Sequence, residues 1–176
     1  TTVFAGTRLE VKTLNLVCQN KRLEQQQLDG EPLSVEHTAF YPGDRVIFTR
    51  NKPSLLVRNG STGTVVAIDN RSRVMRVRLD DGLQIDVDTT CFRHVELGYA
   101  ISTHKGQGLT VDSAFVLTGG SMTDRELTYV QASRARQTTR IYTDLESSGR
   151  ELEVLVRQME RSRAKNLAHD FLLEAP

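Results

Sequence analysis

Ala100-Ile101-Ser102-Thr103-His104-Lys105-Gly106-Gln107-Gly108-Leu109-Thr110 is the stretch on which the fold turns. The apolar run from Tyr99 to Ser102 reads as a buried strand, and hydroxyl, imidazole, ammonium and two glycines follow it at once. This order predicts strand, turn and a short helix from about His104. At such a junction unpaired backbone N–H groups and the helix dipole favour an anion. Any one of these residues alone marks only a polar turn. Together, directly after an apolar strand, they predict a loop that contacts phosphate.

The flanking segments repeat the alternation. Downstream, Ser113 to Leu117 reads as a strand, and Thr123-Asp124-Arg125-Glu126 has capping-box spacing that opens a helix to about Arg136. A strand from Arg140 to Thr143 follows, then a helix over roughly Gly149 to Leu173 with Leu152, Leu155, Val156 and Met159 on one face. At the N-terminus, Val3-Phe4-Ala5-Gly6 reads as a strand, and Thr7 and Glu10 share the capping-box spacing. Leu14, Val17 and Cys18 continue at helical period until Gly30 and Pro32 stop the helix. Strands alternating with helices imply a parallel sheet.

Residues 42–97 follow another rule. Runs at Arg45–Thr49, Gly63–Asp69, Val74–Leu79 and Leu83–Val87 are separated by turn signals at Pro42-Gly43, Asn59-Gly60, Asp69-Asn70 and Asp81-Gly82. Four or five short strands here predict a small SH3-like β-barrel. Period-two geometry sends Met75, Val77 and Leu79 to its core and Arg76 and Arg78 outward. The expected architecture is α/β: a discontinuous parallel-sheet domain over 1–41 and 98–176, interrupted by an inserted barrel over 42–97.

Composition narrows the function. With 176 residues, 38% hydrophobic and 26% charged, the chain has the make-up of a folded globular domain. No apolar run reaches the roughly 20 residues that span a bilayer, and no signal-peptide pattern opens the chain. Cys18 and Cys91 have no partner motif, and His37, His94, His104 and His169 show no metal-ligand spacing, so a reducing cytoplasm and no resident metal are expected. The chain starts at Thr1, directly on a strand, which predicts a piece of something longer.

A net charge of +1 gives no global argument for nucleic acid, but its distribution is uneven. Residues 44–78 hold eight Arg and Lys against Asp44 and Asp69, whereas in 79–98 only Arg93 faces Asp80, Asp81, Asp86, Asp88 and Glu96. Two readings stand: a solvated surface with cross-strand ion pairs, or a basic face for a phosphate backbone. Tyr129-Val130-Gln131-Ala132-Ser133-Arg134-Ala135-Arg136 ends a helix. Its arginines either complement the helix C-terminus or reach across an interface to a transferred phosphoryl group.

These segments, in this order, resemble a known family. Ala100 to Thr110 looks like motif V of superfamily-one helicases of the RecD-like type, and Tyr129 to Arg134 like motif VI. Ala5-Gly6-Thr7-Arg8 with Leu14-Asn15 resembles motif IV, and Gly43 to Asn51 through Asn59 to Gly63 is similar to the start of the SH3-like insertion of the second motor domain. Thr123 to Glu126 and Arg161-Ser162-Arg163-Ala164-Lys165 look most like conjugative relaxase-helicases of the TraI/TrwC/TraA kind. Gly106 stands where Ser or Ala is more usual, and Gln131-Ala132 where the pair is more apolar.

The resemblance implies a RecA-like second motor domain that works on single-stranded DNA with ATP and Mg²⁺, both held mainly by a separate P-loop domain. No Gly-x-x-x-x-Gly-Lys-[Ser/Thr] loop occurs in this chain. Carried over by position, Arg134 is the expected arginine finger and Arg8 a second γ-phosphate contact. Gln107 and Gly108 are expected to couple nucleotide to DNA, and Thr103, His104, Lys105 and Asn59 to meet the DNA strand. The implied parent is a 5′-to-3′ helicase of a bacterial conjugative relaxase, with the P-loop domain and a type IV secretion coupling protein as partners. The other reading is a non-catalytic module, a vestigial helicase half that binds single strands or serves as a secretion signal.

Overall fold

A computed structural model describes residues 1–106, 109–119 and 123–162. The parallel sheet is built from β1 (Thr2–Ala5), β9 (Ala100–Ser102), β10 (Val111–Leu117) and β11 (Ala135–Tyr142), in the order β11-β10-β1-β9. All its pairings are parallel, and Val3 of β1 stands opposite Phe115 on one side and Ala100 on the other. β1 is therefore central, as its apolar sequence requires. Phe4, Ile101, Ala114 and Val116 form the core of one face, and Ile47 reaches into it from the inserted segment.

The helix α1 (Arg8–Glu24) starts as expected, with Glu10 N donating to Thr7 Oγ1 and Thr7 N donating to Glu10 Oε2. Its orientation differs from the expected Leu14, Val17 and Cys18 face. Asn15 and Gln19 are buried, whereas Leu9, Leu16 and Val17 are exposed. The cause is the free edge of β9, whose backbone groups need partners. Asn15 Nδ2 donates to Ala100 O and Ala100 N donates to Asn15 Oδ1, both at 2.9 Å, so one amide side chain completes the edge.

Two other expectations need correction. α2 (Arg125–Ala132) is capped by Asp124, whose Oδ1 accepts from Leu127 N, rather than by Thr123. The Thr123 hydroxyl is buried and bonds Gly119 N and Gly119 O instead. α2 ends at Ala132, so Arg134 lies in the turn before β11 rather than inside a helix. The single C-terminal helix is α3 (Leu145–Ser148) and α4 (Glu153–Glu160), divided where Gly149 and Leu152 take positive φ. Only Leu155 of the expected apolar face is buried, and residues beyond 162 lie outside the described ones.

The inserted strands fall close to their expected positions: β4 (Arg45–Phe48), β5 (Thr62–Asp69), β6 (Val74–Leu79) and β7 (Gln84–Asp88). With β8 (Val95–Leu97) they form an antiparallel sheet in the order β7-β6-β5-β4-β8. Met75, Val77 and Leu79 face its core. The hairpin of β2 (Leu33–Val35) and β3 (Thr38–Phe40) has no counterpart in the sequence reading, and its Leu33, Val35 and Phe40 pack in the same cluster. Packing therefore groups residues 33–40 with the antiparallel sheet, ahead of the boundary expected at 42.

Asp44 joins the two bodies where the chain leaves α1 and returns at Tyr99. Its fully buried carboxylate accepts from Tyr99 Oη, Gln19 Nε2 (2.7 Å) and Tyr41 N (2.7 Å). Arg22 Nη1 donates to Gly43 O and to Tyr99 Oη, with its guanidinium 5.5 Å from the Tyr99 ring centre. Burial pushes the Asp44 carboxyl above its ordinary value, against the opposing pull of these bonds and of Arg22. Burial and Asp44 together push the Tyr99 phenol well up, so it stays a donor.

Candidate nucleotide and nucleic-acid interface

Three segments singled out by the sequence converge on Thr103. Its backbone N donates to Ala5 O at the end of β1 (3.2 Å), and its hydroxyl lies 3.4 Å from the same oxygen. Gln131, in the last turn of α2, donates to Thr103 Oγ1 at 2.8 Å. Both side chains are 2% exposed. Gln131 thus stands at a position usually apolar because it is the polar half of a buried pair, and a buried hydroxyl demands such a partner. The Thr103 hydroxyl therefore faces inward, with its donor and acceptor capacity engaged within the domain.

Residues 103–106 form a turn instead of the expected helix from His104. Gly106 N donates to Ser102 O (3.0 Å), and Lys105 N lies 3.4 Å from Ser102 Oγ. These two amides close the turn and are not presented to an anion. Gly106 is buried against Phe4, where an added Cβ would lie 2.5 Å from Phe4 Cε1. Its φ is ordinary, so the requirement for glycine here is space rather than torsion. His104 and Lys105 are exposed, with the Lys105 ammonium 3.2 Å from Glu96 Oε2 of β8. Gln107 and Gly108 lie outside the described residues.

Arg134 is half-buried beside this junction. Its Nε donates to Val130 O and its Nη2 to Ser133 Oγ, each at 2.9 Å, so the guanidinium folds over the end of its own helix. Arg136 points elsewhere, 4.0 Å from Asp112. Arg8 is exposed on the first turn of α1. Arg8 and Arg134 suit a phosphate as permanent cations with forked donors. Among the described residues no three His, Cys, Asp or Glu side chains are grouped to hold a metal ion.

The antiparallel sheet adds a second surface. Asn59 is exposed, its N bonded to Asn51 Oδ1, and a Cβ on Gly60 would lie in ordinary contact with Lys105 O, 4.0 Å away. The loop at 58–61 and the turn at 103–106 are therefore neighbours. The uneven charge of 44–98 resolves in part into cross-strand pairs, Arg45 with Asp80 at 2.6 Å and Arg76 with Asp86 at 2.7 Å. The Arg45 hydrogen bond holds the Asp80 carboxyl below its ordinary value. Sequence reasoning gave no role to Gln19, Arg22 or Asp44 and named Asn15 only within the motif IV resemblance; the signal was three polar residues at 15, 19 and 22, one helical face where apolar residues are expected.

The chain is 35% identical over 146 residues to the probable conjugal transfer protein TraA of Sinorhizobium fredii, covering 81% of this chain and 13% of that protein. It is 34% identical over 107 residues to the RecBCD enzyme subunit RecD of Mycobacterium tuberculosis, covering 59% of this chain and 18% of that one. No protein-family model matches. The Pif1 helicase from Bacteroides, solved in complex with ADP-AlF3 and ssDNA, superposes with a TM-score of 0.66 at 21% identity, over 98% of this chain and 44% of that one. The chain thus resembles the RecD-like helicase region of conjugative relaxases, and its mixed α/β fold with a parallel sheet is similar to the RecA-like domain of Pif1.

Proposed function

We propose that this chain is the second motor lobe of an ATP-dependent 5′-to-3′ DNA helicase within a bacterial, cytoplasmic conjugative relaxase. In this reading the parallel body is RecA-like, the antiparallel body is its SH3-like insertion taken from Leu33 onward, and a P-loop lobe of the same polypeptide completes the ATP site. The observation that carries it is the Ala5–Thr103–Gln131 junction, which ties the ends of β1, β9 and α2 together through buried hydrogen bonds. A shift of α2 is felt at the turn bearing His104 and Lys105. That is the coupling a motor needs between nucleotide and strand.

ATP with Mg²⁺ supplies a phosphoryl transfer whose developing charge needs cationic stabilisation. Arg134 reaches that charge by leaving Val130 O and Ser133 Oγ, neutral acceptors that a phosphate outcompetes. Arg8 adds a second cation from α1. In this reading Gln107 and Gly108 couple the nucleotide to the strand, while His104, Lys105 and Asn59 hold the DNA backbone. A coupling protein of a type IV secretion system is the expected outer partner. One observation favours the non-catalytic reading: both bonds of Arg134 stay within its own helix end.

The test is Arg134→Ala in the full-length protein. The motor reading expects ATP turnover to fall about a thousandfold or more while nucleotide affinity changes little. Near-normal turnover removes Arg134 from the role, and a parent without DNA-stimulated turnover leaves the non-catalytic module. The 176-residue chain itself should bind single-stranded oligonucleotide more weakly as salt rises. No binding at either low or high salt rejects the strand contact in both readings and leaves only the secretion-signal form of the second.

A further inference from the structure

The segment from Arg50 to Ser61 contains Arg50, Lys52 and Arg58 and no acidic residue. It is a built loop. Lys52 N donates to Val57 O (2.9 Å) and Val57 N to Lys52 O (3.3 Å), closing a bridge around a single 3₁₀ turn, Pro53–Leu55. Leu55 packs against the antiparallel core and Val57 is buried in it. Leu56, between them, is thrust outward: it is 71% exposed and held at φ 56°, ψ 26°. A left-handed backbone at a residue with a Cβ is costly, and glycine or asparagine would meet the same geometry more easily. A large apolar side chain is thus held at the tip of a cationic loop, in a conformation that local packing does not favour.

Its neighbours say what it meets. Arg50 Nη1 lies 3.3 Å from His94 Nε2, and the His94 ring stands edge-on to Phe92 at 5.6 Å. The loop continues through Asn59 and Gly60 to the turn carrying His104 and Lys105. The nearby acid Glu96 is paired with Lys105. We propose that Leu56 is a wedge that inserts between successive bases of a single strand, while Arg50, Lys52 and Arg58 hold the phosphates on either side. Apolar side chains, leucine among them, unstack the base steps of duplex DNA by insertion, and a stacked single strand presents the same apolar base faces. This inference rests on the strand-binding reading and adds to it the element that touches bases rather than backbone.

The experiment uses the 176-residue chain and an oligonucleotide with 2-aminopurine inside a run of adenines, where stacking quenches it. Binding by the unmodified chain should raise the fluorescence as the wedge opens the stack. Leu56→Gly and Leu56→Asn, both suited to a left-handed backbone, should abolish the rise, weaken binding roughly three- to tenfold, keep the melting temperature at or above that of the unmodified chain, and leave the salt slope unchanged. Arg58→Ala should instead lower the salt slope by about one. If both Leu56 variants keep the fluorescence rise, the wedge is overturned whether or not affinity falls, and strand binding stands. If the unmodified chain binds no strand, both inferences fall together.

Discussion

Single residues set the tolerances of this molecule, and Gly106 is the plainest case. An added methyl would lie 2.5 Å from Cε1 and 3.1 Å from Cδ1 of the fully buried Phe4. Phe4 has strands on both sides and nowhere to retreat. Gly106→Ala should therefore destabilise the chain by about 1–3 kcal/mol, measured by urea denaturation, although Ser or Ala is more usual there in the resembling motif. Asp44 is the opposite case, a polar group that cannot be emptied. Asp44→Ala strands the donors of Tyr99, Gln19 and Tyr41 in a buried site and should cost about 3 kcal/mol or more. Its raised carboxyl pKa has a definite sign: the folded state holds the proton more tightly, so this group's contribution to stability is greatest below 3.8 and declines as pH rises through the raised folded value.

At the scale of elements, α1 shows what pattern reading captures and what it misses. The capping box at Thr7 and Glu10 depends on local spacing, so its start was legible. Its orientation was not, because the inward face is set by a neighbour, the bare edge of β9, that is distant in sequence. Asn15→Ala should cost about 2–3 kcal/mol by leaving Ala100 N and O without the amide, and hydrogen exchange at Ala100 should accelerate. The antiparallel strands were legible because alternation and Asp-Gly or Asn-Gly turns are local signals. β2 and β3 were not, being three residues each with no long alternation. Motif order brought Thr103 into view as a functional residue and Gln131 only as a departure from the resembling motif, and packing reveals that they serve one another. The charge reversal along 44–98 is in part a pairing pattern, with Arg45 and Arg76 facing Asp80 and Asp86 across strands. Arg45→Met should therefore lower stability by about 1 kcal/mol or less at neutral pH, since the pair is partly solvated. The depressed Asp80 carboxyl contributes above its ordinary 3.8 and loses that contribution as pH falls through the lowered folded value, so the wild-type advantage over Arg45→Met should shrink there.

Across the whole molecule, the contacts between the two sheets decide how it responds to a ligand. Lys105 and Glu96 join the turn after β9 to the antiparallel sheet through an exposed pair that adds little stability. Glu96→Gln should release the ammonium, strengthen single-strand binding by a few-fold and steepen its salt dependence by about one, with no change in melting temperature. The parallel sheet also carries a constraint of order. Its central strand holds Thr2 to Phe4, yet the partners of those residues are Ala114 to Val116 and the strand beginning at Ala100, with the whole antiparallel body intervening in the chain. Hairpins between sequence neighbours close quickly, whereas such distant registers wait on a long loop closure. During synthesis β1 therefore stays without a mate in its sheet until the intervening hairpins and β9 have been made. Pulse-labelling exchange during refolding should accordingly protect Met75 and Val77 before Val3 and Phe4. β1 thus waits for partners that the chain makes only after the whole antiparallel body, and until then its unpaired backbone is open to aggregation.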